Sequence, residues 1–97
     1  MDDAITVAPH VYKTVLENDR VRVLEARMAP GDKTPMHSHP AVVAVAIVGG
    51  KYRFTHAEGE PMEAALPTGA AMYLDAVEHE TENIGDAEGV TLLIELK

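Results

Sequence analysis

Cysteine is absent from the 97 residues, which excludes disulfides, Cys-ligated zinc, iron–sulfur clusters and thiol nucleophiles. Tryptophan is absent too, and one Phe and three Tyr are the whole aromatic complement. A core must therefore be built from Val, Leu, Ile, Ala and Met. Basic residues are scarce: eight Lys and Arg stand against sixteen Asp and Glu, a formal charge of −8. Nucleic acid and anionic membranes both call for a basic surface, so neither is an expected partner. No apolar run approaches the ~18 residues needed to span a bilayer. The start, Met1-Asp2-Asp3, lacks the positive charge of a signal peptide, and no N-x-[ST] acceptor occurs, so a cytoplasmic location is expected.

What is present is a short chain with the balance of a folded protein, 46% apolar and 25% charged. Its length suits one domain, taken here as residues 1–97. Turn signals recur at intervals near ten residues, at Asn18-Asp19, Pro30-Gly31-Asp32, Gly49-Gly50, Glu58-Gly59-Glu60-Pro61, Pro67-Thr68-Gly69 and Gly85-Asp86. That spacing belongs to all-β sandwiches and barrels. The β-branched stretches Val21–Met28, Ala41–Val48, Lys51–His56, Ala70–Leu74, Val77–Asn83 and Val90–Leu96 are the expected strands, with short ones over Ile5–Val7 and Val11–Leu16. Ala41–Val48 is apolar at every position, so it is covered on both faces, and a homodimer is expected.

Alternation orients the side chains. Along Val77–Asn83, Glu78, Glu80 and Glu82 share one face and Val77, His79, Thr81 and Asn83 the other. Three unpaired glutamates cannot be buried together, so His79 points inward. The same logic turns Tyr52, Phe54 and His56 inward. His37 and His39 form H-x-H, which sets two imidazoles on one side of an extended chain, within reach of one ion. His79, arriving on another strand, would complete a three-nitrogen site. Carrying the alternation from His39 through Pro40 places Ala41, Val43 and Val45 on the histidine side. Pocket candidates are therefore Val43, His56 and Asn83. His10 reads as a surface residue, and Glu58, Glu60 and Glu63 as a solvated hairpin tip. Ser38, between the two histidines, faces away from both, which removes a Ser–His hydrolase pair.

The run Gly31-x5-His37-x-His39-x3-Val43-x6-Gly50 resembles the first motif of the cupin superfamily, which has a glutamate three or four residues after H-x-H. Here those positions hold Val43 and Ala44. Gly69, His79 and Asn83 resemble the ends of the second motif. Asp75 and Val77 stand where it has Pro and Gly, and His79 comes one residue early. The likeness extends to the small single-domain, RmlC-like cupins, and Pro-Met-His-Ser-His-Pro is similar to small cupins associated with beta-alanine degradation. It implies an all-β jelly-roll barrel, a double-stranded β-helix, holding a divalent metal. Carried over, His37, His39 and His79 match three metal ligands and the acidic fourth is missing. Imidazoles accept Zn, Ni, Cu, Fe, Mn or Co. Three neutral ligands leave the charge of the ion uncompensated and do not form the two-His-one-carboxylate set of oxygenases. Three functions remain open: a metal-dependent enzyme on a small organic molecule, a non-catalytic binding or sensor module for a metal or small-molecule ligand, and a metal-free barrel.

Overall fold

The structure is a computed structural model that describes residues 3–97; the Met1-Asp2 part of the acidic start lies outside the described residues. One helical turn, α1 (Ala4–Val7), precedes nine strands. These are β1 (Tyr12–Glu17), β2 (Val21–Met28), β3 (His37–His39), β4 (Val42–Val48), β5 (Gly50–His56), β6 (Met62–Leu66), β7 (Ala71–Leu74), β8 (Val77–Asn83) and β9 (Gly89–Leu96). They form a five-stranded sheet, β1-β2-β9-β4-β7, and a four-stranded one, β3-β8-β5-β6, with every strand pair antiparallel. No helix among the described residues is long and apolar enough to cross a membrane.

Seven of the eight expected strands appear to within a residue, Val11–Leu16 as β1 among them. Two expectations need correction. Ile5–Val7 lies in α1, because the Asp3 side chain accepts from the Ile5 N–H and caps the turn, a local bond that outweighs β-branched propensity. Glu63 belongs to β6, where it sits opposite Arg53 and pairs with it at 3.0 Å, rather than at a hairpin tip.

The register across Pro40 is the third correction, and it bears on the site. The chain leaves the four-stranded sheet after β3 and enters the five-stranded sheet at β4, so one alternation cannot run through both. In β4, Val42, Ala44 and Ala46 are buried, while Val43 and Val45 lie on the outer side. Val43 pairs with Tyr73 on one neighbour and Ile94 on the other. The row continues through Val23 to Leu16, so five apolar side chains cross the outside of the sheet. Leu16 and Tyr73 at its ends are 53% and 58% exposed.

The segment after β2 docks the histidines. Gly31 adopts φ +85, a left-handed conformation that glycine takes without strain. Its N–H donates to the carbonyl of Asn83, and that residue's N–H donates to the carbonyl of Asp32. Further along, the Thr34 N–H donates to the Thr81 carbonyl, and the chain arrives in β3 with His37 opposite His79. The first-motif glycine is thus the bend from which the ligand strand is laid along β8.

Candidate metal centre

His37 and His39 project from one side of β3, and His79 projects from the facing residue of β8. All three are buried, and their ligand nitrogens lie within 4.8 Å of one another. The ring centroids stand 4.8 Å (His37–His39), 4.9 Å (His37–His79) and 5.4 Å (His39–His79) apart. A zinc-like ion with bonds of ~2.0–2.1 Å would hold the three nitrogens about 3.4 Å from one another.

The remaining ring atoms support the fit. His37 Nδ1 donates to the Pro35 carbonyl at 2.8 Å, which places its lone pair on Nε2. His39 Nδ1 lies 2.6 Å from Glu95 Oε2, which likewise leaves Nε2 as the nitrogen that can coordinate. Metal-binding histidines commonly hold their second nitrogen on a carbonyl or carboxylate in this way. Burial depresses His37 below the ordinary histidine value, with a further push from His39, despite the Pro35 bond. Burial also pushes His79 down to about 3, helped by neighbouring His37, His39 and His56. These two are therefore uncharged at neutral pH, the form a metal requires. One contact competes: Tyr12 donates its hydroxyl to His37 Nε2 at 3.0 Å. Burial raises the Tyr12 pKa, so the proton stays on the phenol.

Behind His39 stands a group that hydrophobic alternation does not single out. Glu95 is 2% exposed near the end of β9, the central strand of the five-stranded sheet. Its Oε1 accepts from Arg22 Nε at 2.8 Å and lies 2.7 Å from Nη2, while its Oε2 takes His39. Arg22 in turn holds Asp3 with both terminal nitrogens, at 2.6 and 3.2 Å. The guanidinium keeps the Asp3 carboxyl below its usual range. Arg22 thus ties Asp3 and Glu95 together beside the histidines.

The other candidates are distributed differently. Val43 points outward, away from the histidines; Val42 and Ala44 take the inward places. His56 faces inward opposite His79, with ring centroids 6.0 Å apart. Asn83 is inward and buried, but its side chain closes a turn: Nδ2 donates to the Met28 and Ala87 carbonyls and Oδ1 accepts from the Gly85 N–H. Asp75 is exposed beyond β7. His10 is exposed, with Nε2 at 3.3 Å from the Lys33 carbonyl.

His39 and His79 open onto a cavity of about 70 Å³. Val42, Ala44, Phe54, Met72, Leu74 and Leu93 make much of its wall; Tyr12, Tyr52, Thr81 and Thr91 bring the hydroxyls. None of the lining residues is acidic or basic apart from the two histidines.

Comparison with known proteins agrees with this geometry. A family model described as a cupin domain matches residues 24–95. No curated protein matches the chain. A cupin domain from Bordetella pertussis Tohama I is similar over 90% of this chain and 92% of its own, at 31% identity and a TM-score of 0.82. An RmlC-like cupin with a double-stranded β-helix from Methanocaldococcus jannaschii shares the fold at 17% identity, with a TM-score of 0.72 over 89% of this chain and 78% of its own. A double-stranded β-helix protein from Klebsiella pneumoniae does so at 19% identity and 0.71, over 89% and 75%. The two sheets, the histidines facing each other between them and these likenesses agree: the chain belongs to the cupin superfamily.

Proposed function

We propose that this cupin holds one divalent ion with His37, His39 and His79 and binds a small organic molecule in the adjoining apolar cavity. The observation that carries the reading is the convergence of three buried imidazoles whose ligand nitrogens lie within 4.8 Å, two of them with Nδ1 already held elsewhere. The ion would act as a Lewis acid toward the polar head of the ligand. Val42, Ala44, Phe54 and Leu93 would receive an apolar body of a few heavy atoms, the size the cavity permits. The wall offers no carboxylate free to take a proton, since Glu95 is committed to His39 and Arg22. That favours a binding or sensing role over general-base catalysis.

Elemental analysis of untagged protein tests the metal, with about one ion per chain expected. His79→Ala should abolish most uptake and His10→Ala should not. No metal as purified, and none taken up from zinc, nickel, manganese or iron, would refute the site. A turnover screen on small organic molecules separates an enzyme from a binder.

A second copy is the expected cover for the outer face of the five-stranded sheet. The charge-free row Leu16, Val23, Ile94, Val43 and Tyr73 suits an isologous contact, in which one patch meets itself. Light scattering should return twice the chain mass; a value near 10.5 kDa would contradict it.

A further inference from the structure

The superfamily motif puts an acid among the metal ligands, and here that acid is missing. We infer that Glu95, clamped from behind by Arg22 and Asp3, is the positioning residue of the centre: it fixes His39 as the Nδ1–H tautomer, turns Nε2 to the ion and supplies negative charge from one shell further out. The inference rests on the metal reading above and adds to it a role for three residues outside the ligand set.

The geometry leaves Glu95 little choice. Val42 and Arg22 are its cross-strand partners on β4 and β2, so the carboxylate emerges between the inward faces of both strands. At 2% exposure it has no water to fall back on. The two oxygens divide the donors between them, with Oε1 on Arg22 and Oε2 on His39, at 2.8 and 2.6 Å. An isolated buried carboxylate costs several kcal/mol, so the pair of donors is what makes the position tenable. Asp3 then holds the far side of the guanidinium, so the Arg22 fork cannot swing off Glu95 without giving up two further contacts. A carboxylate on the second nitrogen of a ligand histidine fixes the tautomer and strengthens the donor, and losing it commonly costs 10–100-fold in metal affinity.

Glu95→Gln tests this sharply. Glutamine has one acceptor oxygen where the site needs two. If the oxygen stays on Arg22, the amide NH₂ faces His39 Nδ1, which can then only accept. The imidazole proton must move to Nε2, the atom that should bind the ion. Long-range ¹H–¹⁵N spectra of the metal-free protein read the tautomer directly. Chelator competition with zinc reads affinity. The expected result is an Nδ1–H His39 in the wild type, a shift toward Nε2–H in the variant and a 10–100-fold weaker zinc site. Arg22→Lys keeps the charge but loses the fork, and should fall between the two. It also serves if the glutamine variant does not fold. An unchanged tautomer with unchanged affinity in both variants would overturn the inference. A wild type that takes up no zinc would instead sink the metal reading, and the tautomer would still decide whether Glu95 commands His39.

Discussion

Replacing Ala44 by glutamate should restore the acid that the motif carries, and the structure says why residue 44 and not residue 43 is the place. Both positions satisfy the spacing after H-x-H. Only Ala44 faces the cavity that His39 and His79 share; Val43 lies between Tyr73 and Ile94 on the outside of the sheet. Without metal, Ala44→Glu sets an acid in a wall of Val42, Met72 and Leu93 at a site 7% exposed. The desolvation of an unpaired polar group in such a place, limited by its taking up a proton, is about 2–4 kcal/mol. For a chain of this length each kcal/mol moves the midpoint by about 4–8 °C, so the metal-free variant should melt some 10–25 °C lower. A carboxylate ligand cancels one of the two charges of the ion and suits manganese or iron, so adding either should recover most of the loss. Val43→Glu is the control. It places a charge on the apolar outer row, away from the cavity, and should show no special rescue by metal. Thermal melts of both variants, with and without manganese, decide the matter. If Val43→Glu is the variant that manganese rescues, or if Ala44→Glu melts equally low in both conditions, the assignment of the cavity side of β4 is wrong.

Three further outcomes follow from particular contacts. His79 titrates near 6.5 when unfolded and is pushed down to about 3 when folded, so in that interval the unfolded metal-free chain binds the extra proton and stability falls as the pH falls. At about 1.4 kcal/mol per pH unit the loss reaches about 3 kcal/mol by pH 4, a large share of a small domain's stability, and denaturant titrations at pH 7, 5 and 4 should show it; flat stability across that range would refute it. Tyr12→Phe removes the hydroxyl that occupies His37 Nε2 at 3.0 Å, a competitor worth about 1 kcal/mol, so zinc affinity should rise about fivefold in a chelator competition; a fall would show that the hydroxyl supports the ion instead. A Cβ on Gly89 would collide with the Tyr52 hydroxyl, so Gly89→Ala should cost about 1–3 kcal/mol by denaturant melt, partly regained with Tyr52→Phe.

The three histidines were legible because each rests on local evidence. H-x-H needs only an extended chain, and the glutamates alternating with His79 declare which side is wet. The strand meeting that pairs His37 with His79 follows from neither, and there the resemblance to the superfamily motif carried the reading. Pro40 marks the limit of alternation as an argument. A period of two holds within one strand in one sheet; between β3 and β4 the chain changes sheets, and the parity is lost. Helix α1 was hidden because a single Asp3 cap decides it, against the β-branched character of Ile5, Thr6 and Val7.

Glu95 was hidden for a deeper reason. On β9 the inward side chains are Thr91, Leu93 and Glu95, and the outward ones Leu92, Ile94 and Leu96. The outer side is the more apolar, so hydrophobic alternation would turn Glu95 to the solvent. The same inversion holds on β4, where the outward Val43, Val45 and Ile47 are bulkier than the inward Ala44 and Ala46. Both inversions have physical causes that sequence pattern alone does not separate. Small inward residues leave room for a cavity, and an inward acid needs donors, which come from β2 and β3. In the proposed centre, an acid standing behind His39 would act on an ion through the imidazole rather than by a direct bond. Its charge would then weigh less than a ligand carboxylate's, and one more coordination position would be left for a ligand. Such a centre would trade some hold on the ion for an open face, directed at a cavity with no charged lining beyond the histidines.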